Sequence, residues 1–404
     1  MINEKGGQAE IRHLKSDPVP DQLQLARHVK APELGPKILF FSGGTALNPL
    51  SKALVQYTHN SIHLITPFDS GGSSAKLRQA FDMPAFGDMR SRLMALADQT
   101  VKGNLEVYKL FTYRLPTDKN NMELRSKLES MAAGDHFLVA RVHDPIRRII
   151  CSHLDFFIRK MPSDFDLRGA SIGNLILASG YLANDRHIDP VIAVFSKLAG
   201  VRGTVRPIMN IFLHLIARLE DGTVVKGQHM ITGKESRPIE ARIEDIYLSK
   251  SLEDPAPFYP RIKNEIKDLI LGAELICYPM GSFYSSIIAN ILPEGVGSAI
   301  AANDCSKVYI PNTGYDPEQT GTKLEERVEI LIRHLRKSCA GSEPVSKLLN
   351  FVVIDRDHSV YQGGVDIQRI TNLGVETLEM PLTHKDQEPY LDKELLSEAI
   401  LSMV

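Results

Sequence analysis

The sequence contains no tryptophan and only four cysteines, Cys151, Cys277, Cys305 and Cys339, in 404 residues. They lie far apart with no C-x-x-C pair, which excludes a disulfide-stapled fold and a cysteine-rich zinc module and is the usage of a reduced cytoplasm. Nowhere does an apolar run approach the roughly 18 residues a membrane helix needs. The first 30 residues also lack the apolar segment of a secretion signal, so a cytoplasmic protein without a membrane partner is expected. Neither charge sign is in excess: 47 Lys and Arg stand against 49 Asp and Glu, a net charge of −2. With no long basic block, nucleic acid is not the expected partner. What remains is an ordinary globular composition, 43% apolar and 24% charged, in a chain long enough for one large α/β domain with appendages or for two or three smaller units.

Residues 1–36 are polar and carry Pro18, Pro20, Pro32 and Pro36, which reads as a tail or a packed arm. Regular structure begins at Lys37. Lys37 to Phe41 and Ser61 to Thr66 are short, continuously apolar runs of the kind buried on both faces of a parallel sheet. Each is followed by a glycine-rich turn and a helical pattern, so the opening is a βαβ unit. From about 104 to 200 the pattern is mostly helical, with an expected helical insert at 116–160. The period then shifts to two, and Phe212 to Leu219 and Thr223 to Gln228 flank Asp221-Gly222, a strong hairpin signal. Ile239 to Leu248 reads as a further antiparallel strand, and Glu274 to Tyr278, Lys307 to Ile310, Phe351 to Ile354 and Val375 to Leu378 return to the buried-strand pattern. The predicted class is α/β, a Rossmann-like, mostly parallel sheet with helices on both faces. A small antiparallel hairpin element is added, with the main domain at 37–390 and a C-terminal helix at 391–404.

Three turns join the carboxyl end of a buried strand to a helix, the edge at which open α/β sheets bind ligands. In Ser42-Gly43-Gly44-Thr45 the small residues let backbone N–H groups approach an anion, although glycines alone also serve a tight turn. Asp69-Ser70-Gly71-Gly72-Ser73-Ser74 adds a carboxylate, which can bind a ribose, hold a magnesium ion between two phosphates, or merely cap the following helix. The G-x-G-x-x-G fingerprint is absent, because Ala46 and Asn48 stand where glycines are needed, so a nicotinamide enzyme is the weaker reading. Gly281-Ser282-Phe283-Tyr284-Ser285-Ser286 offers four hydroxyls, with helix-capping as the plain alternative. Asp88 is placed as an N-cap and Arg90 as either a solvated side chain or a clamp on a diphosphate. His136, His143 and His153 lack metal-site spacing, and no G-x-S-x-G elbow supports a hydrolase.

Taken in order, Gly43-Gly44-Thr45, Asp69 to Ser74, Gly87-Asp88-Met89-Arg90, Ser171-Ile172-Gly173-Asn174 and Gly281 to Ser286 resemble the CofD/YvcK family from about Lys37 to Thr383. The resemblance implies a Rossmann-like, usually homo-oligomeric protein with a nucleoside-diphosphate-linked small molecule at these loops. In one branch, 2-phospho-L-lactate transferases move a phospholactyl group from a guanosine-diphosphate-linked lactate to a deazaflavin hydroxyl with Mg2+. In the other, YvcK-type proteins bind UDP-sugars and regulate metabolism. Carried onto this chain, Asp69 holds Mg2+, while Asp88 and Arg90 complete the catalytic set. The nucleotide is then met by Gly43, Gly44, Thr45, Gly71, Gly72, Ser73, Ser74, Ser171, Asn174, Gly281, Ser282, Tyr284, Ser285 and Ser286, and a deazaflavin-like molecule is the acceptor. The chain departs from the family pattern at Ser70, where a second acid is common, at Ala170, at Ala46 and at Pro279-Met280.

Overall fold

The computed structural model describes residues 20–98, 104–233, 237–384 and 389–404. Its centre is a seven-stranded sheet made of β1 (Ile38–Ser42), β2 (Ile62–Ile65), β3 (Thr204–Pro207), β7 (Leu275–Tyr278), β8 (Ser306–Tyr309), β9 (Phe351–Asp355) and β10 (Glu376–Met380). Every pairing in it is parallel, in the order β10-β9-β8-β7-β1-β2-β3. Alternation along β1 shows why the strand is apolar throughout: Leu39 and Phe41 enter one core cluster, Ile38 and Phe40 the cluster on the opposite face. A second sheet joins β4 (His214–Leu219), β5 (Val224–Lys226) and β6 (Ile243–Ser249) in antiparallel order β5-β4-β6. The Asp221-Gly222 hairpin forms as its sequence predicts, with Gly222 at φ 85°.

The chain order fixes where a ligand site belongs. From β1 the chain steps outward to β2 and β3, and later starts again at β7, on the other flank of β1. The loops leaving β1 and β7 therefore diverge, and the crevice between them is the switch point of a doubly wound sheet. Helix α1 (Gln22–Lys30) lies within the expected tail and is tied to the C-terminus, where Asp21 N–H donates to Ser402 Oγ at 3.0 Å and Gln24 Nε2 to the Val404 carbonyl at 3.1 Å; residues 1–19 lie outside the described residues. Helices α2 (Asn48–Leu54), α3 (Gly72–Phe81) and α4 (Gly87–Leu96) follow the first two turns. Helices at Asn121–Ala133, Phe137–Ala140 and Ile146–Lys160 occupy the expected insert and share a core cluster with Ile172–Ala183, α3, α4 and residues of β2 and β3. Among the described residues no helix is long and apolar enough to cross a membrane.

Two local expectations change. The edge strand β3 falls in a stretch with no strand signal, because its burial alternates and it carries Arg206 and Pro207 instead of an apolar run. Asp88 does not cap α4: the helix starts one residue earlier at Gly87, with Phe86 at the N-cap position, so the carboxylate sits in the first turn, where it complements the helix dipole.

Candidate functional site

A cavity of about 460 Å³ lies at the switch point, lined by Gly43, Gly44, Thr45, Asp69, Gly71, Asp88, Gly281, Ser282 and Ser286 from the three turns and α4. The first turn owes its shape to a buried arginine. Arg92 of α4 donates from Nη1 to Ser51 Oγ at 2.6 Å, and its Nη2 lies 3.5 and 3.3 Å from the carbonyls of Gly43 and Gly44. In a planar trans peptide the C=O and the next N–H point in opposite directions. Drawing those two carbonyls toward Arg92 therefore turns the amides of Gly44 and Thr45 the other way. Neither amide hydrogen-bonds to any described residue, and both residues line the cavity. Burial lowers the Arg92 guanidinium to about 9, which leaves it cationic at neutral pH.

Gly43 is fixed by close approach. A Cβ there would stand 2.3 Å from Ser286 Oγ and 2.9 Å from Ser286 Cβ, so only glycine lets the first turn and the turn after β7 touch. Asn290 ties the same two segments, donating to the Ser42 carbonyl at 2.9 Å.

The second turn supplies the carboxylate. Asp69 Oδ1 accepts the Gly71 amide at 3.1 Å, and Asp69 Oδ2 lies 3.2 Å from where a Cβ on Gly87 would be, which brings the start of α4 against it. Asp88 approaches from α4, its Oδ1 3.5 Å from the corresponding position on Gly44. The loop carrying Asp69 is riveted from below by Arg78, which donates to the carbonyls of Pro67 at 3.0 Å and Leu213 at 2.6 Å. Asp69 and Asp88 present oxygen ligands only, as a hard divalent cation prefers. Among the described residues no group of three or more His, Cys, Asp or Glu could hold a metal, so the ligand's own oxygens would have to complete the shell.

The third turn differs from its sequence reading. The amides of Phe283, Tyr284 and Ser285 are already taken: Asp316 Oδ2 accepts the first at 3.0 Å, and Glu318 Oε2 accepts the other two at 2.8 Å each. Ser285 Oγ also bonds to Glu318 Oε1, and Tyr284 Oη donates to the Ile243 carbonyl at 3.3 Å. Tyr284 and Ser285 thus face away from the cavity, and only Gly281, Ser282 and Ser286 of this turn reach it. Gly281, at φ 144°, is in the region that favours glycine. Burial and the neighbouring Asp316 push the Glu318 carboxyl up to about 8.

The remaining expected residues form a layer behind the wall. Arg90 donates to Ser171 Oγ at 2.8 Å and to the Phe111 carbonyl at 3.0 Å instead of turning to the cavity. Ser73 Oγ accepts the Ser171 amide at 3.2 Å. Ser74 and Asn174 both pack at Gly87, and Asn174 Oδ1 is buried without a partner; Gly72 is not among the lining residues. Ser42 of the first turn lines the cavity too, and residues not anticipated from sequence complete the wall: Gln228, His229 and Thr232 from the short helix Gln228–Thr232, with Ala46, Leu47, Met280 and Tyr390. Arg92 itself carried a signal, a charge on the buried stripe of α4 between Met89, Leu93 and Leu96.

Comparison with known proteins bears on the family and the fold. The family model described as 2-phospho-L-lactate transferase CofD matches residues 38–383. The gluconeogenesis factor of Bacillus subtilis is 31% identical over 285 residues, 70% of each chain. That of Listeria monocytogenes is 26% identical over 92% of this chain and 97% of its own. A crystal structure of a UPF0052-family protein from Bacillus halodurans superposes with a TM-score of 0.66 at 24% identity, covering 91% of this chain and 99% of that one.

Proposed function

The chain belongs to the CofD family, and from that premise we propose that it binds a nucleoside-diphosphate-linked small molecule in the switch-point cavity and transfers the distal phosphoryl-linked group, of the 2-phospho-L-lactate type, to an alcohol. The observation that carries the reading is the pairing of two outward-turned, unsatisfied amides, Gly44 and Thr45, with two carboxylates, Asp69 and Asp88, in one cavity. The amides suit a phosphate. A carboxylate beside a polyanion opposes binding unless a cation stands between them, so the donor set fits Mg2+ shared between Asp69 and ligand oxygens. When bound, the ion would supply neutralisation of charge on the diphosphate. The chain's own part is positioning: the Gly44 and Thr45 amides hold the diphosphate, and Ser282 and Ser286 offer hydroxyls beside it. In the reaction the acceptor oxygen bonds to the distal phosphorus, the bond from that phosphorus to the bridging oxygen breaks, and a nucleoside monophosphate leaves while the hydroxyl proton passes to a base.

A second reading, a nucleotide-sugar-binding regulator without turnover, is favoured by Ser70, which stands where the family commonly has a second acid, and by the gluconeogenesis-factor relatives. One panel of UDP- and GDP-linked compounds with Mg2+ separates the two. Monophosphate release is expected under the first reading; a thermal shift of several degrees with no release supports the second. Absence of both would refute ligand binding here.

A further inference from the structure

The cavity lining combines two chemically unlike sets of residues. Ala46, Leu47, Met280 and Tyr390 bring apolar or aromatic surface; Gln228, His229 and Thr232, all of one short helix, bring polar groups. The polar wall holds the strongest sign of an unmet partner. Gln228 is 7% exposed, and its Oε1 is buried with no hydrogen-bond partner. An acceptor in that position calls for a donor. A diphosphate, deprotonated at neutral pH, offers none. Beside it, His229 is held by Ser70, whose Oγ lies 2.8 Å from Nδ1 and also accepts the His229 amide at 3.1 Å. Anchoring through Nδ1 leaves Nε2, the other ring nitrogen, for a ligand. Thr232, donating to the His229 carbonyl at 3.0 Å, keeps acceptor lone pairs of its hydroxyl. A carboxamide, an imidazole and a hydroxyl within one helical turn offer hydrogen bonds in both directions, as a polyhydroxylated group requires.

We propose, resting on the nucleoside-diphosphate reading above, that the site is polarised: the base lies against Tyr390, Met280 and Leu47, the diphosphate meets the Gly44–Thr45 amides, and Gln228, His229 and Thr232 recognise a hydroxyl-bearing group attached to the distal phosphate. Ser70 then has a role of its own in this chain, orienting His229 instead of contributing a second carboxylate.

The test is calorimetric binding of UDP, GDP, UDP-glucose and GDP-mannose in Mg2+ to the full chain and three variants. Gln228→Met and the near-isosteric Thr232→Val should leave the bare diphosphates at wild-type affinity and weaken the hexose-linked ones by about tenfold. Tyr390→Ala should weaken bare and linked ligands by the same factor. The assignment is overturned if wild type prefers no hexose-linked compound over its bare diphosphate, or if the Gln228 and Thr232 variants lose bare and linked binding together or lose neither. Failure of wild type to bind any of the four would instead refute the nucleoside-diphosphate reading, and the wall assignment with it.

Discussion

Replacing Arg92 tests whether the first turn binds by the aim of its amides. In Arg92→Met the carbonyls of Gly43 and Gly44 lose the guanidinium that draws them inward, and the Gly44 and Thr45 amides are no longer held outward. Each amide-to-phosphate bond is charge-assisted, worth about 1.5 to 3 kcal/mol. Losing the fixed direction of two of them costs about 3 kcal/mol or more, which is on the order of a hundredfold in Kd. Stability should fall too, because Ser51 Oγ and the carbonyls of Gly43 and Gly44 lose a buried donor, so affinities are compared at a temperature at which melting shows both proteins folded. The assay is calorimetry with UDP and GDP in Mg2+, alongside thermal melting. Arg92→Lys is the deciding variant: it keeps the positive charge, but its single nitrogen cannot span Ser51 and both carbonyls as the guanidinium does. The orientation argument predicts that it binds nearly as poorly as the methionine variant. Wild-type affinity in Arg92→Lys with loss in Arg92→Met would refute it, since charge rather than peptide direction would then be the cause.

Gly43→Ala should lower stability by about 1 to 3 kcal/mol through overpacking against Ser286, seen as a lower Tm, and Ser286→Gly in the same chain should restore most of it; an unchanged Tm in the single variant would contradict the close approach. Glu318 has its carboxyl raised to about 8 in the folded protein, whereas the unfolded chain releases that proton near pH 4.5. Between those values the native state binds the extra proton, so this group makes stability fall as pH rises from about 5 to 8. Glu318→Gln should remove that component, and the Tm difference between variant and wild type should widen over the window. Asp69→Asn should abolish the gain in nucleotide affinity on adding Mg2+ while leaving affinity in EDTA equal or tighter, because a negative charge beside the polyanion is gone; retention of the Mg2+ effect would remove Asp69 from the cation site.

What the sequence makes legible is set by how local the cause is. The strands β1, β2 and β7 announce themselves because burial on both faces demands mostly apolar runs, broken in β2 only by the buried His63, and Asp221-Gly222 declares its hairpin through two adjacent residues. β3 does not, since an edge strand with alternating burial needs no such run. The meeting of the three turns is likewise legible, because topology alone brings loops at the carboxyl edge together. Their chemistry is not. Whether the amides of Phe283 to Ser285 are free depends on Asp316 and Glu318, 33 and 34 residues onward, and no window around the turn contains that information. The choice between Arg90 and Arg92 fails for a similar reason. Both lie on α4, two residues apart and so on different faces, and only the packing of α4 behind the first turn decides which of them touches it.

That division of labour constrains how the site can work. Three turns that look interchangeable as glycine and serine strings do different things: the first presents free amides, the second a carboxylate, and the third has its helix start neutralised by buried acids. Among the described residues no lysine or arginine lines the cavity; Arg92 and Arg90 act from behind it. Among the described residues, the positive potential next to the cavity is thus two amides and the charge of Arg92 transmitted through the turn, with Asp69 lining the same cavity. Partial amide charges do not offset the Asp69 carboxylate at close range, so metal-free binding should be weak. Nucleotide and Mg2+ binding should accordingly be linked, each raising the affinity for the other by the same factor, a reciprocity that holds whether or not the bound molecule is turned over.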